Sequence, residues 1–130
     1  MTVRVLVVDD ATTVRMFHRA ILQAAGFAVE EAMNGVEGLE RALAGTVPPD
    51  LLLVDVNMPR MDGYAFLRAV RVEPSLRDIP AIMISTECEE RDAERGFEAG
   101  ANLFLVKPVD AAELARYALV LAGGGPELAA

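Results

Sequence analysis

The sequence predicts an α/β domain built on a doubly wound, five-stranded parallel sheet, and three observations predict it. Four short apolar runs, residues 5–8, 51–54, 82–84 and 103–106, have the length and Val/Ile/Leu content of strands buried on both faces. Stretches with apolar residues at helical spacing separate them, so strand and helix alternate as in parallel sheets with crossover helices. Each run also ends in a polar residue: Asp9 and Asp10, Asp55, Ser85, and Lys107 followed by Pro108. In a parallel sheet all strand C-termini share one edge, so residues scattered from 9 to 107 meet there.

The elements follow in order. A first strand over residues 3–9 leads to a helix over 13–25, where Val14, Phe17, Ile21 and Leu22 fall at helical spacing and Gly26 provides a stop. A weak second strand near residues 27–32 precedes a helix over 36–44, with Gly45 after it. Pro48-Pro49 is loop, leading to the third strand at 51–54. Asp62 is the expected N-cap of a helix over 64–72, and Pro74 breaks the chain before the fourth strand at 81–84. A helix over 89–99, acidic outside, stops at Gly100; the fifth strand is 103–106 and the last helix 111–121. Residues 1–122 thus form one domain, and residues 123–130, opening with Gly123-Gly124-Gly125-Pro126, read as a flexible tail or linker stump. Right-handed crossovers give the flavodoxin-like order 2-1-3-4-5, with strands 1 and 3 flanking the point where strand order reverses.

Composition narrows the function. A chain of 130 residues, 53% of them hydrophobic, buries a full core and is not disordered. Net charge −8 argues against nonspecific nucleic-acid binding, which needs a Lys/Arg surplus. No run approaches a membrane span, and the acidic pair at Asp9 and Asp10 predicts no signal peptide. The single cysteine, Cys88, forms no internal disulfide and fits a reducing cytoplasm. It reads as incidental rather than redox-active, and His18, the only histidine, as a surface residue of the first helix rather than a phosphodonor.

The strand ends carry the chemistry. Asp9, Asp10 and Asp55 lie on adjacent strands, and two like charges about 4 Å apart repel by roughly 4 kcal/mol at an effective dielectric of 20. Such a cluster holds a proton or a cation, and Mg²⁺, a hard ion that takes carboxylates, water and phosphate oxygens, suits it. An aspartate can also attack phosphorus to form an aspartyl-phosphate. Lys107 is the only lysine beside eleven arginines, a compact point charge suited to neutralising a phosphoryl group, and the Ser85 hydroxyl can donate to a phosphoryl oxygen.

With these residues in place, the chain resembles the receiver domain of two-component response regulators, above all the single-domain chemotaxis type, over roughly residues 3–121. Asp9-Asp10 is similar to the family's metal pair, Asp55 to its phosphoacceptor, Met58-Pro59-Arg60-Met61-Asp62-Gly63 to its following loop, Ser85 to its hydroxyl position and Lys107-Pro108 to its lysine–proline pair. The resemblance implies a switch phosphorylated on Asp55 by a histidine kinase or phosphotransfer protein. It implies Mg²⁺ held by Asp10, Asp55 and the Asn57 backbone carbonyl, with Asp9 holding ordered water, and a cis bond before Pro108. Phe104 matches the aromatic switch position, reporting to a downstream protein through helix 4, strand 5 and helix 5, including Arg91, Arg95, Arg116 and Tyr117. No output domain is read after helix 5, and a monomer is expected, with a phosphorylation-linked dimer as the alternative. Asn57 and Glu87 flank the path of the hydrolytic water and, being polar, imply phosphoryl decay over seconds to minutes. Two alternatives stand beside the switch. A metal-dependent phosphohydrolase working through an aspartyl-phosphate wants an Asp where Asn57 stands, and a phosphorylation-independent docking module would have lost Asp55 or Lys107.

Overall fold

The computed structural model describes residues 2–86 and 89–124; Glu87 and Cys88, singled out in the sequence, lie outside them, as do residues 125–130 of the tail. Five strands, β1 (Arg4–Val8), β2 (Ala28–Ala32), β3 (Leu51–Asp55), β4 (Ala81–Ser85) and β5 (Leu103–Val106), alternate with α1 (Thr12–Ala24), α2 (Gly35–Ala44), α3 (Gly63–Val72), α4 (Glu90–Ala99) and α5 (Ala111–Leu119). The strands are all parallel, in the order β2-β1-β3-β4-β5.

Side chains alternate across a strand, so each central strand feeds two cores. Val5, Val7, Leu51, Leu53, Ile82 and Ile84 pack against Leu22 of α1 and Leu114 and Ala118 of α5. Leu6, Val8, Leu52, Val54 and Met83 face Ala42 of α2, Phe66, Leu67 and Val70 of α3, and Ala99 of α4. Burial on both faces is why these strands read as continuous apolar runs.

Local signals set most boundaries. The Asp62 side chain accepts a hydrogen bond from the Ala65 N–H at 2.8 Å, and Asn34 and Asp110 cap α2 and α5 in the same way. Gly100 closes α4 at φ +118, a left-handed turn that glycine adopts without a Cβ clash. Regular α5 ends at Leu119, two residues before the expected end, because the chain widens into a looser turn over Val120–Gly124 where Gly123 takes φ +89.

Helix α1 holds two corrections. His18 is only 2% exposed, whereas the sequence reading put it on the surface. It sits four residues from both Val14 and Leu22, on the stripe that faces the sheet, while Phe17 is half-exposed toward α5. The buried stripe is thus rotated by about one position from the one read off the sequence. Among the described residues no helix is long and apolar enough to cross a membrane.

Candidate functional site

The C-terminal sheet edge brings the strand-end residues together. Val8 pairs with Val54 in register, which sets Asp9 and Asp55 side by side at the point where strand order reverses. Asp9, Asp10 and Asp55 each place a carboxylate oxygen within 4.8 Å of the others; Asp9 and Asp55 are buried and Asp10 is exposed. Asp9 is pinned locally, since its Oδ1 accepts from the Ala11 N–H at 2.9 Å as the chain turns into α1.

Lys107 completes the cluster from the far edge of the sheet. Its backbone N–H donates to the Ser85 carbonyl at 2.8 Å, which fixes residue 107 against the end of β4. From there the side chain crosses β4, and Nζ donates to Asp55 Oδ1 at 2.9 Å and to Asp9 Oδ2 at 3.1 Å. The Lys107–Pro108 peptide bond is cis, as the resemblance implied. Ser85 is fully buried beside this contact, and Asn57 and Thr86 are exposed at the rim.

The charges perturb one another. Burial away from water pushes Asp55 up to about 6; the Lys107 hydrogen bond opposes this, while the charges of Asp9 and Asp10 add to it. Burial alone would lower Lys107, but its hydrogen bonds and charge contacts with Asp55 and Asp9 hold it above its ordinary value. A carboxylate that resists ionisation beside two others, one of them open to solvent, is the chemistry of a hard-cation site; Asp9, Asp10 and Asp55 therefore fit Mg²⁺.

This has a consequence for stability. Because folding raises the Asp55 pKa from 3.8 to about 6, the folded state binds its proton more tightly. That contribution is complete below about 3.8 and is lost as pH rises through about 6, above which ionised Asp55 is a net cost. Two units would be worth roughly 3 kcal/mol, and screening at this open edge reduces it to about 1 kcal/mol. In EDTA, Asp55→Asn is therefore expected to raise Tm by several degrees at pH 8 and to leave it unchanged at pH 4. A lower Tm at pH 8 would mean that the lysine pair outweighs burial.

Two groups near the site escaped the sequence reading. Arg15, one turn into α1, donates to the Asp9 carbonyl at 2.6 Å and also pairs with Glu31; its distance from the acidic pair was the available signal. Tyr64, just after Gly63, donates to the Asp92 carbonyl at 3.2 Å while the Arg95 guanidinium lies 4.2 Å from its ring centre, tying α3 to α4. Arg95 of the expected output face is thus engaged within the molecule. Phe104 pairs with Met83 in register and lies half-buried under α4, where a Cβ on Gly96 would come within 2.9 Å of its ring.

Comparison with known proteins agrees with this geometry. The sequence profile of the response regulator receiver domain matches residues 5–118. The chain is 39% identical over 104 residues to the sensor histidine kinase CheAY of Helicobacter pylori, covering 80% of this chain and 13% of that protein. It is 39% identical over 110 residues to the response regulator PleD of Caulobacter vibrioides, covering 85% of this chain and 24% of that protein. The chain therefore spans only a small part of these relatives. Among solved structures, the chemotaxis protein CheY4 of Vibrio cholerae superposes with a TM-score of 0.86 at 34% identity, covering 93% of this chain and 99% of that one. The receiver domain of the histidine kinase PA1611 of Pseudomonas aeruginosa, with magnesium coordinated in its active-site cleft, matches with a TM-score of 0.85 at 28% identity, covering 95% and 99%. Receiver domains are signalling switches that bind Mg²⁺ at an acidic site and interact with histidine kinases or phosphotransfer proteins. With profile, fold and acidic cluster in agreement, the chain belongs to the response regulator receiver domain family of two-component systems.

Proposed function

We propose that Asp55 is the phosphoacceptor of this chain, taking its phosphoryl group from a histidine kinase or phosphotransfer protein in the cytoplasm. The observation that carries this reading is Lys107 Nζ lying between Asp9 and Asp55 across the end of β4. Lys107 holds Asp55 Oδ1, which leaves Oδ2 to attack phosphorus, and the ammonium sits where a phosphoryl oxygen gains charge. The buried Ser85 hydroxyl is within the same strand-end cluster and would donate to a second phosphoryl oxygen. Asp10, Asp55 and the Asn57 carbonyl would hold Mg²⁺, with Asp9 helping to order water, and the bound ion would supply charge neutralisation of the phosphoryl group. The cluster thus catalyses only its own phosphorylation and dephosphorylation. Drawing Ser85 toward the phosphoryl group frees space for Phe104 to move inward. That biases the face made by α4, β5 and α5, through which a downstream protein reads the switch.

Incubation with acetyl phosphate and Mg²⁺ should add about 80 Da by intact mass, the mass of one phosphoryl group, and Asp55→Ala should abolish the adduct. Steady turnover of phosphoesters would instead support a hydrolase, and no adduct a docking module. The polar pair Asn57 and Glu87 further sets decay over seconds to minutes. An Asn57→Arg/Glu87→Lys variant should slow phosphate release about tenfold or more, and an unchanged half-life would sink this role.

A further inference from the structure

Helix α4 is fastened to α3 toward both ends, and the two fastenings are unequal. At its C-terminal end the Arg71 guanidinium donates to the Gly100 carbonyl through Nε at 3.0 Å and Nη2 at 2.7 Å. Nη1 of the same group donates to the Ile79 carbonyl at 2.7 Å and the Arg77 carbonyl at 3.0 Å. Bonds from an ionised donor are roughly twice as strong as neutral ones, and a planar fork loses little freedom in making them. The buried residues of α4, Gly96 and Ala99, also lie in its second half, with Gly96 close against Phe104 and Met83. The first half is held more lightly. There the Tyr64 hydroxyl, a neutral donor, bonds the Asp92 carbonyl at 3.2 Å, and the Arg95 guanidinium lies 4.2 Å from the ring centre. Glu89, at the head of α4, pairs with Arg91 at 2.8 Å and makes no side-chain cap, in contrast to Asp62 at the head of α3.

We infer that Tyr64 is a resting-state latch, which holds the first half of α4 down with Arg95 over its ring until phosphorylation releases it and α4 pivots about its Arg71-bound end. This rests on the reading of Asp55 as phosphoacceptor and of the α4 face as output. The contact belongs to the resting state, because Lys107 is here still bonded to unmodified Asp55. A contact made in one of two states biases the equilibrium toward that state by its own worth. Helix α3 is the fixed side of the latch. The Gly63 N–H donates to the Val56 carbonyl at 2.8 Å, and the Gly63 Cα approaches the Asp55 carbonyl too closely for a Cβ, so the first turn of α3 stays with β3. The displacement therefore falls on α4, at the end where the fastening is weaker. One neutral hydrogen bond and one ring–cation contact are together worth about tenfold in the equilibrium, enough to favour rest and little enough for a phosphoryl group to overcome. Release also frees Arg95, which the resting state keeps engaged within the molecule.

Beryllofluoride with Mg²⁺, a mimic of the phosphoryl group, is the probe, titrated against the full chain. Tyr64→Leu should bind it about tenfold more tightly than wild type, since the latch no longer opposes the active state. Tyr64→Phe keeps the ring under Arg95, and Arg95→Gln keeps the hydroxyl bond, so each should tighten binding about threefold. Arg95 is exposed, so Arg95→Gln tests the latch even where a change at buried Tyr64 harms folding. Adding Arg95→Gln to Tyr64→Leu should change nothing further, because both remove the same ring contact. In the wild type, beryllofluoride should speed hydrogen exchange at the Glu94 and Arg95 amides and leave Ala99 and Gly100 slow. Unchanged or weaker binding by both Tyr64→Phe and Arg95→Gln overturns the latch, and faster exchange at Ala99 and Gly100 instead overturns the pivot. A wild type that takes up no beryllofluoride overturns the Asp55 reading along with the latch, whereas normal uptake with unshifted variants overturns the latch alone.

Discussion

Replacing Lys107 by alanine should slow phosphoryl uptake from acetyl phosphate by about 10²- to 10³-fold, the usual loss when one preorganised donor is removed from a charge-developing site. The geometry behind this number is a single ammonium bonded to two buried carboxylates, Asp55 at 2.9 Å and Asp9 at 3.1 Å. Its removal has a second signature. The Lys107 hydrogen bond is what holds the Asp55 pKa down against burial, so the variant's Asp55 should titrate above its present value of about 6. The acid limb of the pH–rate profile must then move toward neutral pH. Lys107→Arg keeps the charge but spreads it over a planar fork, so it should restore the pH limb more completely than the rate. A Lys107→Ala profile that keeps its wild-type limb, or moves to lower pH, would remove Lys107 from the machinery.

A larger effect on the fold is expected from Gly63→Ala. A Cβ built on Gly63 lies 2.3 Å from the Asp55 carbonyl oxygen and 3.0 Å from the Val56 Cα, and the Gly63 N–H donates to the Val56 carbonyl at 2.8 Å. The obstruction is backbone on β3 itself, so no side chain can rotate away to make room. We expect a loss of about 3 kcal/mol or more, which for a domain of this size lowers Tm by roughly 10 °C. Any relief must come by displacing the Asp55 peptide, so phosphoryl uptake should fall even where the variant stays folded. Calorimetry together with the mass-adduct assay measures both, and a Tm within about 2 °C of wild type would refute the close approach.

Which parts of this molecule could be read from its sequence follows from where each residue sits. The central strands β1, β3 and β4 are buried on both faces, so their apolar runs were unmistakable. The edge strand β2 is half-exposed, and its Glu30 and Glu31 face Arg4, Arg15 and Arg19, which dilutes the apolar signal. The site was legible because parallel topology alone brings strand ends together, whatever lies between them. His18 was not, since a polar residue on a helix reads as solvent-facing until the packing angle of α1 is known. Tyr64 was invisible as a tie for the same reason: its partners Asp92 and Arg95 lie on a different helix, and only the docking of α3 on α4 brings them near.

The reach of Lys107 also ties signalling competence to the order of synthesis. Its two carboxylate partners are 52 and 98 residues earlier in the chain, the second nearly the full length of the domain. Closing so long a loop is entropically expensive and comes late unless the intervening sheet is already assembled. A nascent chain that has emerged only as far as β4 carries the aspartates but not the cation, and so holds an incomplete acceptor. On the proposed reading, phosphoryl uptake by unfinished or half-folded copies would then be slowed about as far as in Lys107→Ala, which biases the signal toward finished domains.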